Sequence, residues 1–348
     1  MRSVNRLSEL DALRGIAALA VLGYHFTTRY REIFGKEILN GLEFRYGYLG
    51  VEIFFIISGF VIFMTAEKVK GVGEFLLKRI IRLFPAYWIC LTISFVVLTI
   101  WPIPERPVSL PIYLVNLTMF QEMFRVTNVD GSYWSLFNEW MFYIIIAAFL
   151  SVKLLEKTSI WLSTWLLLSW VNTFIRLPFS YSFLNLYFAP YFIAGISFYK
   201  LWKKGGPHYL NWFLIAACGV VIALQDVPSA NKVSYWLFVL IFAGFVFNKL
   251  KWLSQPVLIW LGNISYVLYL IHLTIGYELL KAFKSLGGPL SFVIATIIVL
   301  FLSYFIHQFL EKPLADWMRT KFIKTKPQTQ ALAGSTDSSP IAKTAHGI

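Results

Sequence analysis

Long apolar runs, separated by short basic or aromatic connections, organise this chain. Scanned for stretches able to cross about 30 Å of hydrocarbon, the sequence gives ten of them. They lie near 10–27, 47–66, 80–101, 132–152, 159–175, 183–202, 209–225, 233–248, 256–275 and 289–310. The pattern predicts an all-α polytopic membrane protein, a bundle of about ten transmembrane helices. An even number of crossings returns the C-terminus to the side on which the N-terminus starts.

One connection is longer than the rest. The stretch from Trp101 to Ser132 contains SLPIYLVNLTMF, too short to span and expected to lie at the interface or to re-enter. Long loops in compact proteins are often functional, and aromatics such as Tyr113, Phe120 and Phe124 suit either sugar stacking or membrane insertion. Beyond Lys326 the sequence turns polar, PQTQALAGSTDSSPIAKTAHGI, and reads as a disordered cytoplasmic tail. The expected division is therefore a membrane-embedded unit over 1–326 and a tail over 327–348.

Composition agrees with the pattern: 58% of residues are hydrophobic and 14% charged, with mean hydropathy +0.65. A formal charge of +13 would point to nucleic acid in a soluble protein. Here the Lys and Arg residues sit between apolar runs, so the lipid bilayer is the expected partner and nucleic acid is not. With the N-terminus cytoplasmic, 20 of the 31 basic residues fall on the cytoplasmic side and 10 outside, Arg14 being the remaining one. That bias places both termini in the cytoplasm and the chain, multi-pass, in a bacterial inner or plasma membrane. Arg2 and Arg6 precede the first run as in a signal peptide, but Asp11 and Arg14 argue against cleavage. Cys90 and Cys218 lie in apolar runs, so neither a disulfide framework nor a metal site is expected.

Ionisable residues inside such segments are costly and mark function. In LDALRGIAALAVLGYHF (Leu10–Phe26), Arg14 and His25 are about three helical turns apart on nearly one face. Under the expected topology His25, Glu52, Glu139 and His272 occupy the outer half of the bundle. Ser265, Tyr269 and His272 form a polar stripe on one helix face. A carboxylate beside a histidine fixes its tautomer and steadies the imidazolium, which makes the histidine a general base towards a hydroxyl. On the cytoplasmic level, Arg79 and Arg82 lie one turn apart at the entry to the third segment. Such a pair suits phosphate or, equally from charge alone, lipid headgroups.

Taken together, several stretches resemble the integral-membrane acyltransferase 3 family. They are RGIA (Arg14–Ala17) with His25, GVEIFFIISGF (Gly50–Phe60), RIIRLFPAYW (Arg79–Trp88), WSLFNEWMFY (Trp134–Tyr143), ISYVLYLIH (Ile264–His272) and FLEKP (Phe309–Pro313). They appear in family order from Leu10 to Pro313. The resemblance implies an acetyl-CoA-dependent O-acyltransferase. Its donor substrate would be cytoplasmic acyl-CoA, with no permanently bound cofactor, and its acceptor a hydroxyl of a surface or exported glycan on the outer side. It makes His25 the catalytic histidine and Arg14 a required helix-one arginine, and it assigns Arg79 and Arg82 to the CoA phosphates. Glu139 matches the motif glutamate. Asn138 stands where an acidic residue is common, and Glu52 where the family frequently has aspartate. Glu139 or Glu52 is expected to stabilise the His25 imidazolium. Tyr24, Trp134, Ser135 and His272 are candidates for holding the oxyanion. Family members fused to an esterase-like domain pass the group onward; without it here, the bundle is expected to complete the transfer. The competing class is a proton-coupled transporter, which also uses buried His, Glu and Arg.

Overall fold

The apolar runs fold as helices in the expected order. The computed structural model describes residues 7–103, 106–175, 177, 183–203 and 208–323. Helix α1 (Ser8–Tyr24) passes through a π-helical turn, His25–Arg29, into α2 (Tyr30–Phe34). Then come α3 (Gly50–Ala66), α4 (Val72–Ile100), the short α5 (Leu110–Asn116), α6 (Trp134–Ser151), α7 (Thr158–Phe174) and α8 (Ala189–Lys203). The chain closes with α9 (His208–Leu224), α10 (Ser229–Val246), α11 (Pro256–Ala282) and α12 (Gly288–Ile306). A second π-helical turn, His307–Glu311, leads from α12 into α13 (Lys312–Phe322). Among the described residues there is no strand, only an isolated bridge between Ile103 and Arg106. The tail expected at 327–348 lies outside the described residues.

Among the described residues, six helical runs are long and apolar enough to cross a membrane, those at Gly47–Ala66, Val72–Ile100, Trp134–Ser151, Ser229–Val246, Pro256–Ala282 and Gly288–Phe322. The other four expected segments are also helical, but α1, α7 and α9 have 17 residues each and α8 has 15. A span needs about 20. Helix α4 starts at Val72, a full two turns before the expected entry, so Arg79 and Arg82 sit inside the helix rather than at its mouth.

The long connection folds inward. Asn116, fully buried, donates to the carbonyls of Ile112 (2.8 Å) and Thr127 (3.0 Å) and accepts from the Val129 amide (3.1 Å). One amide side chain thus satisfies backbone that no regular element would. Tyr113 packs on Phe95 and Phe120 on Phe137 and Trp140, while Phe124 is exposed.

Glycines set the closest helix approaches. A Cβ on Gly15 would lie 2.8 Å from the Gly262 amide nitrogen, and one on Gly262 would strike the Asp11 carbonyl. Helices α1 and α11 therefore cross with their backbones in near contact, as small residues permit in membrane bundles. Gly59 and Gly195 do the same for α3 and α8.

Candidate active site

The α1–α11 crossing carries the site. His25 follows Gly15 by ten residues, and His272 follows Gly262 by ten. The two helices run in the same direction, since Phe26, in the π-helical turn that continues α1, also meets Gly276 of α11. Equal steps of about 15 Å along parallel axes bring the two imidazoles to the same height. Their rings are 4.8 Å apart, with His25 Nδ1 2.9 Å from His272 Nε2. His25 is partly exposed, and His272 is buried at 1%. The pair sits where α1 changes to its π-helical turn, a local irregularity often found at functional positions.

Around the pair, Tyr24 stands edge-on to His25 at 5.1 Å and Tyr48 edge-on to Tyr24 at 5.6 Å. On the other side Tyr269 packs 5.8 Å from the His272 ring. The Tyr269 hydroxyl donates to the Ser132 carbonyl (3.0 Å) and pairs with Ser135 Oγ at 2.7 Å. Asp130, fully buried, accepts from the backbone and side chain of both Ser132 and Thr274. It ties the long connection to α11 two residues beyond His272.

Tyr269 and Ser135 also line a cavity of about 1050 Å³. It extends from Val51, at the start of α3, to Lys68, just past its end. That is about 25 Å along the helix. The end away from the histidines is lined by Lys68, Lys78, Arg79, Arg82, Lys203 and Arg319, of which Lys78, Lys203 and Arg319 are paired with Glu74, Glu67 and Asp316. Arg14 and Glu139 line it as well. The histidine end is mostly aromatic and aliphatic, with Phe54, Phe55 and Leu136 beside Tyr269. One passage therefore joins a cluster of basic side chains to the neighbourhood of the histidine pair.

The two motif arginines differ in their surroundings. Arg82 is held by Glu311 at 3.1 Å and lies over the Tyr266 ring at 5.1 Å. Glu311 in turn meets His307 Nδ1 at 2.6 Å across the second π-helical turn. Arg79 lies between the rings of Phe75 (5.8 Å) and Tyr143 (5.7 Å), and its buried Nε lacks a hydrogen-bond partner. Arg79 is thus positioned by stacking and keeps donors for an anion.

The carboxylates expected beside His25 are bound elsewhere. Glu139 accepts from Ser58 Oγ (3.2 Å) and from the Tyr143 hydroxyl (2.6 Å), joining the GVEIFFIISGF and WSLFNEWMFY stretches on the cavity wall. Glu52, 6% exposed, accepts from Asn231 and from Ser234 Oγ (3.3 Å), and Asn231 accepts from the Tyr48 hydroxyl (2.9 Å). The His25 ring meets the His272 ring and the Val21 carbonyl, not a carboxylate. Sequence reasoning did not pair His25 with His272; the matched Gly-to-His spacing in α1 and α11 is the signal that gives the pairing. Glu311 lies in the FLEKP stretch, which marked it without naming Arg82 as its partner; Asp130, the anchor of the long connection, carried no comparable signal. Among the described residues, no three His, Cys, Asp or Glu side chains converge as metal ligands do.

Comparison with known proteins gives a consistent picture. Residues 7–308 match the acyltransferase domain of the acyltransferase 3 family. The exopolysaccharide production protein ExoZ of Rhizobium meliloti (strain 1021) is 26% identical over 317 residues, covering 85% of this chain and 96% of that one. Acyltransferase MdmB of Streptomyces mycarofaciens is 24% identical over 328 residues, 83% of each chain. ORF330 of Acidianus two-tailed virus, assigned as an acetyltransferase, is 28% identical over 279 residues, 75% of this chain and 81% of that one. No solved structure matches.

Proposed function

The chain belongs to the acyltransferase 3 family, and from that premise we propose that it transfers an acyl group, acetyl by preference, from acyl-CoA to a hydroxyl of a cell-surface or exported glycan. The observation that carries this reading is the cavity of about 1050 Å³ that leads from six cationic side chains to the wall behind which the two histidines meet. CoA is a polyanion at one end and a thioester at the other. A passage cationic at one end and apolar at the other fits that polarity.

In this reading the nucleotide phosphates engage Arg79 first, with Arg82, Lys68, Lys78, Lys203 and Arg319 adding long-range attraction. The pantetheine arm lies along the cavity past Arg14 and brings the thioester towards Tyr269 and His25. The acceptor reaches His25 from the side where that ring is partly exposed, beside Tyr24 and Tyr48. His25 takes the hydroxyl proton as the oxygen bonds to the acyl carbon. The carbon–sulfur bond then breaks, and the thiolate recovers the proton. The positive-inside bias orients the cationic mouth to the cytoplasm and the histidines to the far side. The acyl group crosses the bilayer while the glycan stays outside. ExoZ, named for exopolysaccharide production, supports a polysaccharide acceptor. Glu139 would steady the cavity wall through Ser58 and Tyr143. Family membership replaces the transporter alternative.

The test is transfer of radiolabelled acetyl from acetyl-CoA to an exported-glycan extract by the purified full chain. Wild type should label glycan, and His25→Ala should not while still binding acetyl-CoA. Arg79→Ala should lose affinity for acetyl-CoA more than turnover. Folded wild-type protein that neither binds nor hydrolyses any acyl-CoA would overturn the reading.

A further inference from the structure

If the site works as an acyltransferase, His25 must present a bare nitrogen to the acceptor hydroxyl. Each ring has two nitrogens, and a neutral imidazole carries a proton on one of them. The surrounding atoms decide which. His272 Nδ1 lies 3.1 Å from the Leu268 carbonyl and 2.9 Å from the Tyr269 carbonyl. Carbonyl oxygens only accept, so this nitrogen carries the proton and Nε2 of the same ring is an acceptor. The group facing that acceptor, at 2.9 Å, is His25 Nδ1. His25 Nδ1 is also 3.0 Å from the Val21 carbonyl, which again only accepts. Two acceptors on separate helices therefore require the same thing, a proton on His25 Nδ1. Nε2 of His25 is left with its lone pair.

We propose that His272 is the positioning residue of the reaction, a neutral acceptor that holds the Nδ1 proton of His25 and so makes His25 Nε2 the nitrogen that takes the acceptor's proton. This assignment rests on the acyltransferase reading. It also accounts for the carboxylates being elsewhere. In many hydrolytic triads an aspartate holds the histidine in this way; here Glu52 is occupied by Asn231 and Ser234, and Glu139 by Ser58 and Tyr143. A neutral partner adds no second buried charge. When Nε2 takes the hydroxyl proton, the Nδ1–H bond to His272 becomes charge-assisted and stronger, so His272 favours the state in which the oxygen–carbon bond is forming. The proton then leaves Nε2 for the CoA thiolate, and His272 ends the cycle as it began. The Leu268 and Tyr269 carbonyls keep its tautomer fixed throughout.

Two measurements test this on the full-length protein in detergent. The first needs no activity: nitrogen-15 NMR of histidine-labelled wild type, with the His25 signals identified by their loss in His25→Ala. With five histidines in the chain, the expected result is a protonated Nδ1 and an unprotonated Nε2 for His25. The reverse tautomer overturns the proposal whether or not transfer is seen. The second is kinetic, on His272→Leu and His272→Gln. The glutamine carbonyl oxygen can replace Nε2 as an acceptor; leucine fills space without one. His272→Leu should lower kcat by about 100-fold or more, with the KM for acetyl-CoA within about twofold of wild type, and His272→Gln should recover to within about tenfold. Equal loss in both variants with acetyl-CoA binding intact, or no loss in either, overturns it. If neither variant binds acetyl-CoA, folding has failed and the tautomer measurement decides. Absence of transfer and of acyl-CoA binding in wild type refutes the enzyme reading separately.

Discussion

The Gly15–Gly262 crossing offers a way to move the histidines apart without touching them. In Gly15→Ala the new Cβ would sit 2.8 Å from the Gly262 nitrogen and 2.9 Å from the carbonyl carbon of Leu261. Both are helix backbone, so relief comes from separating α1 and α11. Ordinary van der Waals contact begins at 3.4 Å, a shift of about 0.6 Å for a tightly packed interface. Carried rigidly along α1, the same shift takes His25 Nδ1 and His272 Nε2 from 2.9 Å to about 3.5 Å, beyond a useful hydrogen bond. Stability should change little. Overpacking costs about 1–3 kcal/mol, while alanine regains about 0.8–1.0 kcal/mol of helix propensity. Turnover is the sharper readout. Glycan acetylation by Gly15→Ala should show kcat lowered by about 10- to 100-fold, as for a loosened general base, with the KM for acetyl-CoA raised less than about threefold. Tm should fall by only a few degrees. Wild-type kcat in a folded variant would refute the rigid coupling of the crossing to the histidine pair. Proportionate loss of kcat and acetyl-CoA affinity would show instead that the whole cavity had deformed.

Other expectations follow from the same geometry. Raising salt from about 0.05 to about 0.5 M should increase the KM for acetyl-CoA several-fold and leave kcat unchanged, because a cationic mouth attracts through screened charge; an unchanged KM would argue against phosphate binding there. Glu311→Gln should release Arg82 and lower stability by about 1–2 kcal/mol, less than a fully buried pair because the arginine is part-exposed, read as a lower Tm that acetyl-CoA partly restores. No change in Tm would mean that the ion pair between α4 and the second π-helical turn carries no weight. Glu52→Gln, which keeps an acceptor for Asn231, should retain kcat within about threefold. A loss of 100-fold or more would return Glu52 to the chemistry.

The apolar runs determined the helices: each of the ten expected stretches holds one, six of the described helical runs being long and apolar enough to span, because a segment of that hydropathy can bury its backbone polar groups only by helical hydrogen bonding. The sequence also determined relative height on two helices: ten residues from Gly15 and ten from Gly262 put His25 and His272 at one level. It set the arginines less well, since α4 starts at Val72 and carries Arg79 and Arg82 inside the helix. It did not determine azimuth. Which way a helix faces depends on its crossings, and here backbone contact at Gly15 and Gly262 turns His25 towards His272, while Glu52 faces Asn231 of α10 and Glu139 faces Ser58 of α3. Nor did it determine which arginine is tethered, since Glu311 reaches Arg82 from 229 residues away. A linear pattern records height along each axis; only the packed bundle fixes rotation and approach, and hydrogen bonds need all three.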